Sequence, residues 1–207
     1  MNRVERLIRE SFLELLQKEN FYNIHVKDIL ERDHISRTSF YKYYQDKYDL
    51  LDKIETDLLL EFDREFLTML QHCSREQFVN GIPFDPAIYT EIFRFINDRY
   101  SLISSLFGPN GDGMFAEKVI RHIQESPYLQ LDAEKLDQSF DPVQFGQVNI
   151  FLSHGYLGLI TNWIREGERR RSAEEMGSLL AGIVQTFFSI DPKRIAALRQ
   201  SNPSSKP

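Results

Sequence analysis

Apolar residues recur at three- and four-residue intervals along most of this chain, the spacing of helices with one buried face. Val4, Leu7, Ile8, Phe12, Leu15 and Leu16 predict a first helix from Arg3 to Glu19. Asn20 to Asn23 reads as a connection, with Phe21 plugging a small core. Val26, Ile29 and Leu30 share one face of a short helix from Val26 to Arg32, and Asp33-His34-Ile35 breaks it. Ser36 is placed to cap a second short helix from Arg37 to Tyr43, its hydroxyl accepting a backbone N–H that the first turn leaves unpaired. Two short helices around a three-residue turn form a helix-turn-helix pattern. The second of them has little to bury. Only Phe40, joined by Tyr44, faces inward, which leaves Arg37, Thr38, Ser39, Tyr41, Lys42 and Tyr43 as outward donors and rings suited to phosphates and base edges.

Asp46 caps the next helix, expected from Lys47 to Gln71 with a stripe of Leu50, Leu51, Ile54, Leu58, Phe62, Phe66, Met69 and Leu70. Asn80, Gly81 and Pro83 mark a break over 72–85. Helices follow from Pro86 to Asn97, from an Asp98 cap through Leu106, and from Met114 to Glu125, with the Gly108–Gly113 loop between the last two. That loop lacks the following Lys-Ser/Thr, and the preceding strand, of a phosphate cradle. Residues 126–142 give no clear period. Pro142 opens a long apolar helix to Arg165, Glu166–Arg171 is a polar turn that reads as a solvated corner, and Ser172 with Glu175 forms a capping box for a last helix to about Ser189. These two helices are apolar on more than one face and rich in glycine. One face suits the chain's own core and the other a second copy across a two-fold axis. Leu152, Tyr156, Leu159, Ile160, Leu180, Val184, Phe187 and Phe188 are the residues expected there.

The run Ser36-Arg37-Thr38-Ser39-Phe40-Tyr41-Lys42-Tyr43-Tyr44, followed by Asp46-Lys47-Tyr48-Asp49-Leu50-Leu51, resembles the recognition helix of TetR-family transcriptional regulators and its entry into the fourth helix. The resemblance covers roughly residues 3–60. The stretch from His154-Gly155-Tyr156 to Trp163-Ile164-Arg165-Glu166-Gly167 also resembles a C-terminal domain of a subset of such regulators. One departure stands in the turn, where the family commonly has Gly and this chain has His34; the position calls for a positive φ, which His tolerates better than most residues. The resemblance implies an all-α protein of about nine helices, with a DNA-binding head over residues 1–46, an effector-binding and dimerising body over 47–190 and a tail over 191–207. It implies a homodimer on a double-stranded operator, acting as a repressor. Arg37, Thr38 and Ser39 would reach base edges, with Ser36 at the cap. Tyr41, Tyr43 and Lys47 would anchor phosphates, with Lys42 at the rim and Lys27 near a phosphate at the first short helix. The effector is open: an unknown small molecule, or a protein partner instead.

Composition narrows this little and contradicts none of it. At 42% hydrophobic and 27% charged, the 207 residues are ordinary globular material. No apolar run approaches the ~20 residues of a membrane span, and the lone Cys73 fits a reducing cytoplasm. The net charge of −6 argues against nucleic acid taken alone. Residues 1–50, however, carry nine basic and nine acidic side chains, so the whole deficit falls on the body. A neutral head on an acidic body suits a modest DNA footprint.

Phe62, Phe66, Phe93, Tyr100, Phe107, Phe115 and Trp163 are the candidates to line an effector pocket, each also readable as plain core. His72, Cys73, His122 and His154 lack the close spacing of metal ligands. Ser153-His154 and Cys73 lack an oriented base. No metal, cofactor or catalytic activity is expected.

Overall fold

A computed structural model describes residues 2–32, 34–71, 78–79, 82–83, 85–125 and 142–189, with the backbone alone at 78–79, 82–83, 142–145 and 188–189. Among these residues the chain forms nine α-helices and one two-residue antiparallel strand pair. Helix α1 (Arg3–Leu16) is capped by Asn2, whose Oδ1 accepts from the Glu5 N–H at 3.0 Å. It ends three residues before the expected Glu19, because the Lys18 and Glu19 N–H groups both turn onto the Leu15 carbonyl. A single 3-10 turn, Phe21–Asn23, follows with Phe21 fully buried. Helix α2 (Val26–Arg32) and helix α3 (Arg37–Tyr41) flank the turn in which His34 adopts φ +52°. The backbone there is in the left-handed region that the sequence demanded of this position.

Helix α4 spans Lys47–Gln71, as the stripe predicted, and Asp46 Oδ1 accepts from the Tyr48 and Asp49 N–H groups at 2.8 and 2.9 Å. Strands β1 (Phe78–Val79) and β2 (Ile82–Pro83) pair Phe78 with Pro83 and Val79 with Ile82, flanking an Asn80-Gly81 dipeptide. The sequence reads 72–85 as a break, and the strand pair lies within it. An Asn-Gly pair between short apolar residues is itself a hairpin signal. Asp85 caps α5 (Pro86–Asp98). The expected cap at Asp98 is corrected: Asp98 is the last residue of α5, and Arg99, without a side-chain cap bond, stands before α6 (Tyr100–Phe107). The Arg99 guanidinium is drawn elsewhere, to Glu61 and Glu65 on α4 and over the Phe95 ring.

Helix α7 (Phe115–Glu125) packs beside α8 (Pro142–Arg165), and α9 (Ala173–Ser189) lies along α5. The capping box of α9 forms in both directions: Ser172 N–H to Glu175 Oε2 at 2.8 Å, and Glu175 N–H to Ser172 Oγ at 3.2 Å. Gly177 explains how closely α9 approaches α5, since a Cβ there would sit 2.2 Å from Thr90 Oγ1 and 2.6 Å from the Thr90 backbone nitrogen. The Glu166–Arg171 corner is less solvated than expected. Arg170 stacks 4.0 Å over the Tyr100 ring and donates to the Gly167 carbonyl and Asn97 Oδ1, while Trp163 Nε1 donates to the Arg171 carbonyl.

One buried apolar cluster runs without a break from Ile8, Phe12 and Phe40 in the head, through Leu50, Leu51 and Ile54 of α4, to Phe93, Trp163 and Val184 in the body. No helix among the described residues is long and apolar enough to cross a membrane. Residues 191–207, expected as a tail, and the 126–141 stretch lie outside the described residues, as do His72 and Cys73.

Candidate nucleic-acid interface

Helix α3 is built as the pattern required. Ser36 Oγ accepts the Ser39 N–H at 3.1 Å and pairs with Ser39 Oγ at 2.8 Å, so the capping hydroxyl is spent on the helix start. Phe40 is fully buried and Tyr44 nearly so, while Arg37, Thr38, Tyr41 and Lys42 stand exposed, Tyr41 at 57%. The helix is two residues shorter than expected; Tyr43 N–H bonds the Phe40 carbonyl, tightening the last turn. Tyr43 is half-buried, its hydroxyl accepting from Asn2 Nδ2 at 2.6 Å and its carbonyl accepting from Lys53 Nζ at 2.9 Å. Lys27 is exposed at the start of α2, where the His25 N–H donates to Asp28 Oδ2.

Lys47 points inward. Its ammonium donates to the carbonyls of Phe21, Tyr22 and Ile24 at 2.8, 3.0 and 2.8 Å and sits 4.7 Å over the Phe21 ring. All three protons are committed, and burial pulls the amine below its ordinary value. As described, Lys47 braces the 3-10 turn against α4; a phosphate contact would require releasing one of those carbonyls.

Head and body meet at contacts that no sequence pattern announced. The Gly108–Gly113 loop takes the Phe21 N–H on the Asn110 carbonyl at 2.7 Å, and Tyr22 Oη donates to the Asp112 carbonyl at 3.0 Å. Gln17 Nε2 reaches Ser101 Oγ at 2.7 Å. Arg9 of α1 binds Asp57 of α4 at 2.6 Å and the Tyr44 hydroxyl at 2.9 Å. Gly111 is held against α6 so tightly that a Cβ would meet the Leu106 carbonyl oxygen at 2.4 Å. Further along α4, Lys118 of α7 binds Asp52 at 2.7 Å and Glu55 at 2.6 Å, and His122 meets Asp63 at 2.9 Å. Glu55 is 2% exposed and its Oε1 has no partner among the described residues; burial raises its carboxyl above the ordinary range despite Lys118. Its only sequence signal was a charged residue flanking an apolar stripe.

Of the seven aromatics offered for a pocket, Phe62 and Phe66 line a cleft of about 480 Å³ between α4 and α5. The other five stand apart from it. Phe93 is fully buried edge-on to Trp163, Tyr100 donates to the Ile164 carbonyl under Arg170, and Phe107 packs on Phe115. Large rings at helical spacing fill the core first.

The residues expected at a dimer face need a similar correction of register. Leu152, Leu180 and Val184 are buried within the chain itself. Tyr156, Leu159 and Ile160 are half-buried, and burial pushes the Tyr156 phenol up to about 12. Phe187 is half-buried and stacks on Phe151; the side chain of Phe188 lies outside the described residues. What α8 and α9 leave uncovered is Ile150, Phe151, Leu179 and Ile183. A Cβ added at Gly155, Gly158 or Gly182 would meet nothing within 4 Å. No group of three metal-ligating side chains occurs among the described residues. His154 Nδ1 is 2.8 Å from the Ile150 carbonyl of its own helix.

Residues 86–186 match the family model TetR_C_8, described as a transcriptional regulator C-terminal region. No curated protein matches the chain. Among solved structures, a TetR transcriptional regulator from Streptococcus agalactiae 2603V is 19% identical, with TM-score 0.61 over 88% of this chain and 93% of that one. A TetR-family regulator from Syntrophomonas wolfei str. Goettingen is 14% identical, with TM-score 0.66 over 89% and 94%. The dihydroxyacetone kinase operon activator DhaS is 16% identical, with TM-score 0.55 over 90% and 96%. At these identities the likeness is one of fold. The body is matched by the model of a transcriptional regulator C-terminal region, and most of the chain shares the fold of solved TetR-type transcriptional regulators.

Proposed function

We propose that the chain is a homodimeric, sequence-specific DNA-binding repressor whose residues 1–46 read an operator and whose residues 47–190 dimerise and bind an effector. The observation that carries this reading is α3: a capped helix with one buried side chain, Phe40, and an open face of Arg37, Thr38, Tyr41 and Lys42. A helix that buries so little of itself suits insertion into a major groove, its first turn at the base edges. Arg37, Thr38 and Ser39 take the base-edge role. Tyr41, Tyr43, Lys42 and Lys27 take phosphates, with Ser36 as the cap and Lys47 as the brace that keeps α3 and α4 in register. The second copy adds the other half-site by covering Ile150, Phe151, Leu179 and Ile183. An effector releases the operator only if it binds the two states of the dimer with different affinity.

The test is selection from a random duplex library, followed by anisotropy titration at two salt concentrations. A near-palindromic sequence bound far above random DNA, with affinity falling as salt rises, is the expected result. Tyr41→Ala should weaken binding to every sequence by about tenfold, the scale of a lost phosphate contact. Thr38→Ala should instead alter the preferred base at one or two positions, by ~1 kcal/mol each. No enrichment for the wild-type chain would sink the proposal, and equal losses for both variants across a base-substitution panel would sink the division of roles.

A further inference from the structure

We propose that the cleft between α4 and α5 is a binding site for an amphipathic organic cation. Its floor is aromatic. Phe62 and Phe66, one turn apart on α4, lie face to face at 5.5 Å and 16°, and Phe95 of α5 meets Phe62 edge-on at 5.3 Å. Ile92 and Met69, both half-buried, complete the apolar surface. Packed rings that leave a hollow of about 480 Å³ at the surface have room for a molecule of drug size.

The rim gives the sign of charge. Glu61, Glu65, Glu91 and Asp98 border the cleft with Arg64 and Arg94. Arg99 binds Glu61 and Glu65 from one side, and Arg94 binds Glu91 and also Glu174 of α9. The set is five carboxylates against three guanidiniums, a surplus of two negative charges. Asp98 has no ion-pair partner among the described residues. Arg99 already covers the Phe95 ring, so the negative quadrupole left to a ligand is that of the Phe62–Phe66 stack, and it acts in the same direction. An aryl or alkyl body fills the floor and a cationic centre answers the rim, whereas an anion of equal shape meets repulsion at both. Taken as the effector site, the cleft rests on the proposed function for its consequence but not for its binding: the ligand would span α4 and α5 at the end of α4 remote from α3.

Tetraphenylphosphonium and tetraphenylborate have one shape and opposite charge, and Met69 sits in the cleft as a reporter. In the full-length protein with 13C-methyl methionine, the phosphonium is expected to shift the Met69 methyl saturably, leaving exposed Met114 and buried Met176 in place. The borate is expected to leave all three signals in place. The double variant Asp98→Asn/Glu65→Gln, at surface positions, removes the surplus charge and should weaken the phosphonium about fivefold with the Met176 signal unchanged. A Met69 signal that the phosphonium leaves still, equal affinity for both ions, or a double variant that binds like wild type overturns the site. None of these outcomes touches operator selection, which needs no cation, so the failure of either reading is visible without the other.

Discussion

Two helical surfaces stand uncovered among the described residues, and they are chemical opposites. The face of α3 offers guanidinium, ammonium and hydroxyl donors around a single buried ring. The face of α8 and α9 offers Ile150, Phe151 at 63% exposure, Leu179 and Ile183, with three glycines at which an added Cβ would meet open space. Water satisfies the first, so that face can stay open in the free protein. Water does not satisfy the second, where each Å² of apolar surface left exposed costs about 25 cal/mol, so a second protein surface is its natural cover. Exposure alone says that a helix has a free side; the chemistry of that side says what belongs on it.

The largest effect tests whether the glycines of the apolar pair fall into the two kinds they suggest. Gly177→Ala drives a Cβ into Thr90, at 2.7 Å or less from its backbone nitrogen and Cα, where nothing can swing aside. A loss of about 3 kcal/mol or more is expected in denaturant melts. Gly182→Ala, on the same helix but in open space, should leave a monomeric chain unharmed or up to ~1 kcal/mol more stable. Equal melts for the two variants would mean that α5 and α9 are not pressed together. Next in size, Phe151→Glu with Ile183→Glu should give a folded monomer by light scattering and circular dichroism, and should cut operator affinity about a hundredfold as the half-sites lose their linkage. A dimer that survives both charges would move the interface elsewhere.

The smallest effect concerns a polar group that is covered, the counter-case to both open faces. Glu55 is buried with one oxygen unpartnered and its carboxyl raised. A carboxyl raised by folding favours the folded state when protonated, so its contribution is full below the ordinary carboxylate range and is lost as pH climbs through the raised value. Glu55→Gln keeps the shape and removes that loss, and Lys118 keeps Asp52 at 2.7 Å. The variant should be about 1 kcal/mol more stable than wild type near pH 8, with the gap closing toward pH ~4. A gap that widens on acidification would reverse the assignment.

Elements with strong local signals were legible in the sequence: the Ser36 and Asp46 caps, the Ser172–Glu175 box, the limits of α2 and α4, and the positive φ at His34. Each depends on residues within one turn of one another. What sequence periodicity could not settle was which side of an all-apolar helix faces home. Leu152, Leu180 and Val184 were assigned to a partner and turned out to be core, because α8 and α9 carry apolar residues on every side and period alone does not orient them. The resemblance makes Lys47 a phosphate anchor, but its three carbonyl acceptors come from a turn more than twenty residues earlier, beyond the reach of any local pattern. Asp98 failed as a cap for the same reason, since Arg99 answers to two carboxylates on another helix.

Helix α4 has 25 residues, so at about 1.5 Å of rise each it is a rod of about 37 Å. Its lower end shares a buried cluster and the Lys47 brace with the head that carries α3, and its upper end borders the cleft. Geometry turns that length into gain. A tilt of about 7° pivoted at the cleft, about 27 Å up the rod, carries the lower end through about 3 Å, nearly the ~3.4 Å step from one base pair to the next. A rearrangement at the cleft too slight to break any helix is thus enough to put α3, in the role proposed for it, out of step with a half-site by one rung.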